Sequence, residues 1–288
     1  MNFEAIRKLT IIALFSDDEL IDRLVLKGGN AIALVYGLGT RSSLDLDFSI
    51  ERDFEDLEDA KRRIFHALRE RFSSAGLTVF DESFEKKPST LREGQESWWG
   101  GYQLRFKLIE TKKHAGLGGQ KEAIRRQAVL VAPEQRRIFS VDLSKNEYCE
   151  GKAEFEFDDY TIYVYTPLMI IVEKLRAICQ QMPEYTLGSH PRARARDFYD
   201  IHLLVIKKEA NLDSTEDTLA LVRNIFEAKR VPLELLGRIP GQREFHRPDW
   251  PAVRDSVSGS IEEFDFYFDF VVKAIRVLEP LWAKDSPL

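Results

Sequence analysis

The hydrophobic pattern of this chain of 288 residues changes its period near residue 166. Before that point, short segments that alternate between apolar and polar residues are mixed with segments of helical spacing. After it, the apolar residues recur at helical spacing almost throughout. The pattern predicts an α/β (α+β) protein, with a mixed-sheet domain over residues 1–166 and an α-helical domain over residues 167–288.

The same periodicity predicts the individual elements. The predicted strands are residues 44–50, 77–80, 102–109, 138–143 and 161–164. The predicted helices are residues 3–15, 17–26, 56–75, 168–182, 194–207, 214–228 and 261–279. Because of their glycines and prolines, residues 111–119 are predicted to form a mobile loop and residues 238–252 a loop between helices.

Composition excludes several classes of protein. The 42 basic and 48 acidic residues give a net charge of −6, which argues against a uniformly basic surface. No apolar run approaches the ~18 residues that a membrane helix needs, so no membrane association is expected. With only two cysteines, a disulfide framework is not expected and a reducing cytoplasm is the expected location.

The segment with the most chemical information is the predicted strand at residues 44–50. Alternate side chains of a strand share a face, so Asp45 and Asp47 are expected on one face, with Ser43 just before them. Two adjacent carboxylates repel unless a cation lies between them. Mg²⁺, or Mn²⁺, suits such a pair because it prefers carboxylate oxygens and keeps positions open for substrate phosphates. An edge strand with one solvated face is the alternative explanation.

A pair of glycines lies upstream of these carboxylates. Gly28 and Gly29 stand between Lys27 and Asn30, at the start of an apolar run. Paired glycines at a helix start let backbone N–H groups approach a phosphate closely, although the pair alone is equally typical of a turn. Glycines followed by two carboxylates on one strand face indicate a phosphate-binding turn beside a metal site, as in the nucleotidyltransferase fold.

Four motifs in this order resemble the AbiEii/AbiGii-type nucleotidyltransferase toxins of the polymerase-β-like superfamily. They are Gly28-Gly29, Arg41-x-Ser43-x-Asp45-x-Asp47, Glu173-Lys174, and the helix start from Arg194 through Asp197 to Asp200. The resemblance implies that Asp45 and Asp47 hold the metal. It also implies that residues 27–30, Arg41 and Ser43 bind the nucleotide, and that the helical domain closes the active-site cleft. Asn30 stands where the family more often has Ser or Thr.

The resemblance gives catalytic roles to Lys174 and Asp197 as well. Lys174 lies on the flank of the apolar stripe of its predicted helix, so it could pair with nucleotide phosphates or simply cover apolar surface. Asp197 lies at the core edge of the next predicted helix, so the two side chains could meet. Asp142, on the strand at 138–143, is a candidate third carboxylate for metal or base, or an ordinary polar strand residue.

The activity these residues imply is Mg²⁺-dependent transfer of NMP from an NTP to an acceptor hydroxyl. The resemblance implies a toxin of a toxin–antitoxin or abortive-infection system, with RNA, plausibly tRNA, as acceptor and a cognate antitoxin as a possible partner. Transfer onto a protein hydroxyl and a nucleotide-binding regulator without catalysis are the alternatives. Nine Lys or Arg between residues 105 and 137 form either a surface for polyanions or a solvated face.

Overall fold

The computed structural model describes residues 2–39, 45–91, 93–95, 97–131, 136–187 and 191–283. The chain divides into two compact units. The first consists of Met1–Asn30, Ser43–Cys149 and Ala153–Val164. The second consists of Ala31–Ser42, Glu150–Lys152 and Tyr165–Leu288.

A mixed β-sheet forms the centre of the first unit. Its strands are β1 (Leu24–Lys27), β2 (Leu46–Ile50), β3 (Leu77–Lys87), β4 (Gly101–Glu110), β5 (Phe139–Lys145), β6 (Ala153–Phe157) and β7 (Tyr160–Val164). The seven strands lie in the order β3-β4-β5-β2-β1-β7-β6. The pairs β2–β5 and β1–β7 are parallel, and the other pairs are antiparallel.

The first unit also contains helices, of which the two longest pack against one face of this sheet. The helices of this unit are α1 (Phe3–Phe15), α2 (Leu20–Arg23), α3 (Gly28–Asn30), α4 (Leu57–Ser74), α5 (Thr111–Gly116) and α6 (Lys121–Arg126). The ring centroids of Phe15 in α1 and Phe48 in β2 lie 6.0 Å apart, and those of Phe72 in α4 and Phe106 in β4 lie 5.6 Å apart. Each such buried aromatic side chain contributes about 2–3 kcal/mol. The apolar face of the sheet is therefore used for the core, and the opposite face of β2, β5 and β4 carries polar side chains.

The second unit is helical. Its helices are the π-helix Ala31–Val35, α7 (Pro167–Cys179), α8 (Ala195–Lys208), α9 (Glu216–Glu227), the 3₁₀ helix Leu233–Gln242, α10 (Arg243–His246), the 3₁₀ helix Arg247–Asp249, α11 (Trp250–Ser256), α12 (Phe264–Ala274) and the 3₁₀ helix Ile275–Leu281. The hydroxyl of Thr166 accepts a hydrogen bond from the Met169 N–H, and Pro167 follows it, so α7 begins with a strong N-terminal cap. Phe198 of α8 stacks on Phe268 of α12 with 5.1 Å between ring centroids.

The structure confirms the predicted fold class, a mixed-sheet domain with a helical C-terminal region. Three local predictions are wrong. The predicted helix at 17–26 ends at Arg23, because the next four residues form the buried strand β1 between β2 and β7. Most of the predicted loop at 111–119 is the helix α5, and residues 238–252 form short helices. In the described part of the chain, no helix is long and apolar enough to cross a membrane.

Candidate active site

The two carboxylates of the D-x-D segment lie on the polar face of the sheet in the first unit. Leu46 and Phe48 are fully buried on the opposite face of β2. Asp47 is half-buried, and 44% of the Asp45 side chain is exposed. Both carboxylates can therefore reach a ligand on this face.

Asp142 is the immediate neighbour of Asp47. β2 and β5 are parallel, and their register pairs Asp47 with Asp142, so both side chains leave the sheet on the same face. The Asp142 Oδ2 atom accepts a hydrogen bond from Lys87 Nζ at 2.6 Å, and its Oδ1 atom accepts one from Gln103 Nε2 at 2.9 Å. These two donors hold the carboxylate in a defined orientation beside Asp47.

The glycine pair brings backbone close to the same carboxylate. Gly28 has a φ of +69°, which residues with a side chain rarely adopt. A Cβ atom built at this position would stand 2.8 Å from Asp47 Oδ2. The absence of a side chain therefore lets the start of α3 pack directly against the Asp47 carboxylate. Gly29, the next residue of α3, is half-buried.

Asn30 lies under this turn and is fully buried. Its Nδ2 atom donates to the backbone carbonyl of Asp45 at 2.6 Å, and its Oδ1 atom accepts from Arg7 Nη1 at 2.9 Å. The side chain thus ties α3 to the backbone of the carboxylate strand. The structure indicates a positioning role for Asn30, and nucleotide binding by its side chain stays a prediction.

The sequence reasoning missed Arg7 and Arg136. Arg7 is buried on α1. Its position among Thr10, Ile11 and Leu14 at helical spacing is the one signal that could have marked it. Arg136 Nη2 lies 3.2 Å from Asp45 Oδ1 and donates to Ser140 Oγ at 2.6 Å. No local pattern singles it out, because its partners are distant in sequence.

Of the remaining nucleotide-binding candidates, the structure describes Lys27. Lys27 is buried, lies beside Asp47 in the register of β1 and β2, and forms an ion pair with Glu147 at 3.3 Å. Arg41 and Ser43 lie outside the described residues, and their predicted roles stay predictions.

The donor set of this face fits a hard divalent cation. Asp45 and Asp47 supply carboxylate oxygens, with Asp47 directly against the backbone of Gly28, and Mg²⁺ commonly takes one or two carboxylates, substrate phosphates and water. Within the described ranges, no three Asp, Glu, His or Cys side chains form a complete metal-binding group. Because both oxygens of Asp142 already accept hydrogen bonds, metal binding by Asp142 stays a prediction as well.

Lys174 and Asp197 meet inside the second unit. Lys174 Nζ lies 2.8 Å from Asp197 Oδ1 and 2.8 Å from Asp200 Oδ2, and all three side chains are buried. Arg194 also pairs with Asp197. Burial alone would raise the pKa of Asp197, but Arg194 and Lys174 outweigh it and hold this pKa well below the usual range. The four side chains form a network with two positive and two negative charges, in which Lys174, Asp197 and Asp200 are buried and Arg194 is 36% exposed.

His246 supports this network from α10. Its Nδ1 atom accepts a hydrogen bond from the backbone N–H of Arg194 at 3.0 Å, and its ring packs 5.2 Å from the Phe198 ring. The side chain is fully buried, and burial lowers its pKa to about 4. His246 is therefore neutral near pH 7 and fixes the residue that precedes α8. The sequence showed it only as an isolated histidine.

Comparisons with known proteins identify the family of this chain. Residues 11–270 match the family model described as "Nucleotidyl transferase AbiEii toxin, Type IV TA system". No curated protein is significantly similar in sequence.

One solved structure is similar in fold, and a second aligns over most of its length. A proposed nucleotidyltransferase from H. pylori has a TM-score of 0.50 at 16% identity, over 99% of this chain and 97% of that chain. JHP933 from Helicobacter pylori has a TM-score of 0.48 at 17% identity, over 99% of this chain and 93% of that chain. Since the family match spans most of the sequence, the chain belongs to the AbiEii family of nucleotidyl transferase toxins of type IV toxin–antitoxin systems.

Proposed function

We propose that this toxin uses Mg²⁺ to transfer NMP from an NTP to a hydroxyl of an RNA, plausibly a tRNA. The observation that carries the proposal is the arrangement on the polar sheet face. Asp47 lies directly against the side-chain-free backbone at Gly28 and next to Asp142 in the β2–β5 register. The glycine turn, the proposed metal-binding carboxylate and a further carboxylate thus lie side by side.

Asp45 and Asp47 are the residues that would hold the cation. When bound, Mg²⁺ neutralises triphosphate charge and favours attack at the α-phosphorus. Arg136 and Asn30 keep Asp45 in place through its carboxylate and its backbone carbonyl. The backbone N–H groups of Gly28 and Gly29 are proposed to bind phosphate oxygens next to Asp47, because neither residue carries a side chain.

Asp142 is the proposed acceptor of the proton. The acceptor oxygen forms a bond to the α-phosphorus, the bond from that phosphorus to the bridging oxygen breaks, and pyrophosphate leaves. The hydroxyl proton moves to a carboxylate oxygen of Asp142. A carboxylate offers about four lone-pair sites, so the hydrogen bonds from Lys87 and Gln103 leave room for the hydroxyl.

The reaction is proposed to take place in the cytoplasm, where NTPs and RNA are both abundant. The family implies a cognate antitoxin as the partner that limits the activity. Lys174 and Asp197 are proposed to take part in transfer because of the family motifs. Their buried ion pairs also provide a purely structural reason for their presence.

Labelled nucleotides test the proposed activity. The purified protein is incubated with Mg²⁺, total cellular RNA and protein, and each of the four NTPs labelled at the α-phosphate. We expect label in a fraction that is destroyed by ribonuclease and resistant to protease. The same NTP labelled at the γ-phosphate should leave no label in RNA and should release labelled pyrophosphate.

Asp47→Asn is the control for this experiment, since it keeps the shape of the side chain and removes its charge. We expect transfer to fall by several orders of magnitude, because the proposed cation site loses a charged ligand. Label in protein would instead favour transfer onto a protein hydroxyl. NTP binding without any transfer would favour a regulator.

A further inference from the structure

A basic groove runs along the polar sheet face next to the carboxylates. It has a volume of about 500 Å³ and lies over β4, the beginning of β5 and the segment before β5. The residues that line it are Gln103, Arg105, Lys107, Arg136, Arg137, Ile138 and Ser140. Its described lining contains four cations and no carboxylate, although the whole chain has a net charge of −6.

Three of the groove's cations form ion pairs or hydrogen bonds with residues outside the groove lining. Arg105 pairs with Glu85 at 3.2 Å, and Lys107 pairs with Asp81 at 2.9 Å. Arg137 donates to the backbone carbonyl of Ala128, which leaves its charge uncompensated by that contact. Exposed pairs such as Arg105–Glu85 are weak, typically under about 1 kcal/mol, so a polyanion can displace them.

The strand order places the groove on one particular side of the reaction centre. Gly28 follows β1, which borders β2 on one side; β5 borders β2 on the other side, with β4 next to β5. Asp142 of β5 lies between Asp47 and the groove, because the register pairs it with Asp47 on one side and Gln103 on the other. A molecule in the groove therefore approaches Asp142 from the side away from the proposed triphosphate position.

We infer that this groove binds the phosphate backbone of the acceptor nucleic acid, next to the hydroxyl that receives the nucleotide. The inference rests on the proposed function and adds the acceptor's binding site to it. Arg105 and Arg137 contact phosphates, whereas Arg136 already pairs with Asp45 at 3.2 Å. Arg side chains bind phosphate oxygens in a two-point geometry. Ile138, which is 38% exposed, offers an apolar contact to a ribose or a base.

The rest of the basic block does not share this geometry. Lys113 on α5 pairs with Glu110 at 2.7 Å. Arg125 on α6 pairs with Asp81 at 2.7 Å and with Glu122 at 3.0 Å. These helical cations lie outside the groove lining, although Arg125 shares its partner Asp81 with Lys107 of the groove.

Two double variants, each of which removes two positive charges, test whether the groove binds the acceptor nucleic acid. Arg105→Gln/Arg137→Gln removes two groove charges, and Lys112→Gln/Lys113→Gln removes the same charge from exposed positions of α5. Two measurements are made: the anisotropy of a fluorescein-labelled 12-nucleotide oligouridylate at several salt concentrations, and the KM for total tRNA and for the NTP. Since Arg137 also bonds Ala128, the single variant Arg105→Gln provides a test free of that structural contact.

The groove variant should bind the oligonucleotide roughly tenfold more weakly than wild type. Its log–log salt slope should be smaller by about 1.4, at about 0.7 for each lost contact to a single strand. The KM for tRNA should rise while the KM for the NTP stays constant, and Arg105→Gln should give about half of the slope change. The α5 variant should match wild type.

Three results would overturn the inference. Equal effects of both double variants would mean that only overall charge matters. A higher KM for the NTP alone would make the groove part of the nucleotide site. If wild type labels RNA and both groove variants bind and label it as wild type does, the acceptor binds elsewhere and only this inference fails. Label found in protein instead of RNA would overturn the proposed function itself.

Discussion

Glycine is required at position 28 for two separate reasons, and the chain contains a position that separates them. Gly28 has a φ of +69° and a Cβ there would stand 2.8 Å from Asp47 Oδ2, whereas Gly76 has a φ of +74° with nothing within 4 Å. Both Gly28→Ala and Gly76→Ala should lower the free energy of unfolding by about 1–2 kcal/mol, the cost of a left-handed alanine.

Only Gly28→Ala should also displace the Asp47 carboxylate and reduce nucleotide transfer, by at least about tenfold. Chemical unfolding and the label-transfer rate of the two variants measure these effects. If Gly28→Ala transferred nucleotide as fast as Gly76→Ala, the close approach to Asp47 would have no part in the reaction.

His246 makes the stability of the protein depend on pH. Burial lowers its pKa from 6.5 to about 4. Between these values the unfolded chain binds a proton that the folded protein does not. The free energy of unfolding is therefore not reduced by protonation of His246 above pH 6.5. As the pH falls from 6.5 towards 4, this free energy declines by about 1.4 kcal/mol per pH unit.

His246→Asn keeps an acceptor for the Arg194 N–H and removes the titration. Urea unfolding at pH 7, 6 and 5 should show a smaller decline for this variant than for wild type, whatever its stability at pH 7. His66→Gln, at an exposed position, should keep the wild-type decline. Identical pH dependence in wild type and His246→Asn would show that His246 is not the group responsible.

At the scale of elements, the contact between α7 and α8 depends on a balance of buried charge. Lys174 of α7 bonds both Asp197 and Asp200 of α8, and Arg194 bonds Asp197. Lys174→Met would leave two buried carboxylates with one cation. Breaking a buried ion pair in this way costs about 3–5 kcal/mol. Lost activity in this single variant could therefore result from unfolding alone.

The double variant Lys174→Met/Asp200→Asn separates the two roles of Lys174. It leaves Arg194 and Asp197 as a balanced pair, so most of the lost stability should return. We expect transfer to remain absent, as the family motif predicts for Lys174. Thermal unfolding and label transfer measure the two properties, with Asp200→Asn alone as the control. Recovery of transfer together with stability would assign Lys174 a structural role only.

Across the whole molecule, the sequence predicted what depends on local periodicity. Alternation at 44–50 indicated the shared face of Asp45 and Asp47, and helical spacing after residue 166 indicated the helical region. The prediction of a helix failed at Leu24, Val25 and Leu26, because a short apolar run is compatible with a helix and with a buried strand equally well. The structure makes it a strand, since β2 and β7 provide hydrogen-bond partners on both sides.

Local sequence periodicity could not predict contacts between residues that are distant in the chain. Arg7 reaches Asn30, and Arg136 reaches Asp45 across 91 positions of the chain. Neither pair leaves a local pattern, because the register of β2 with β5 and the packing of α1 bring the partners together. The register also made Asp142 a neighbour of Asp47, which spacing alone could suggest but not establish.

The free energy of unfolding of the whole protein should report the proposed cation site without any measurement of activity. A cation that binds only the folded state stabilises it by about 2.7 kcal/mol at a concentration 100 times its Kd. Mg²⁺ should therefore raise the midpoint of thermal unfolding by several degrees in wild type. Asp47→Asn should lose this shift, while Asp158→Asn, which removes the same charge from an exposed turn, should keep it.

Without Mg²⁺, Asp47→Asn should unfold at the wild-type temperature or above it. Asp47 and Asp142 are directly opposed on neighbouring strands, and opposed like charges destabilise a sheet. Differential scanning fluorimetry in EDTA and in a Mg²⁺ series would compare the three proteins. Equal Mg²⁺ shifts in wild type and Asp47→Asn would place the cation elsewhere. A lower midpoint of Asp47→Asn in EDTA would show that this carboxylate contributes to folding through contacts other than a metal.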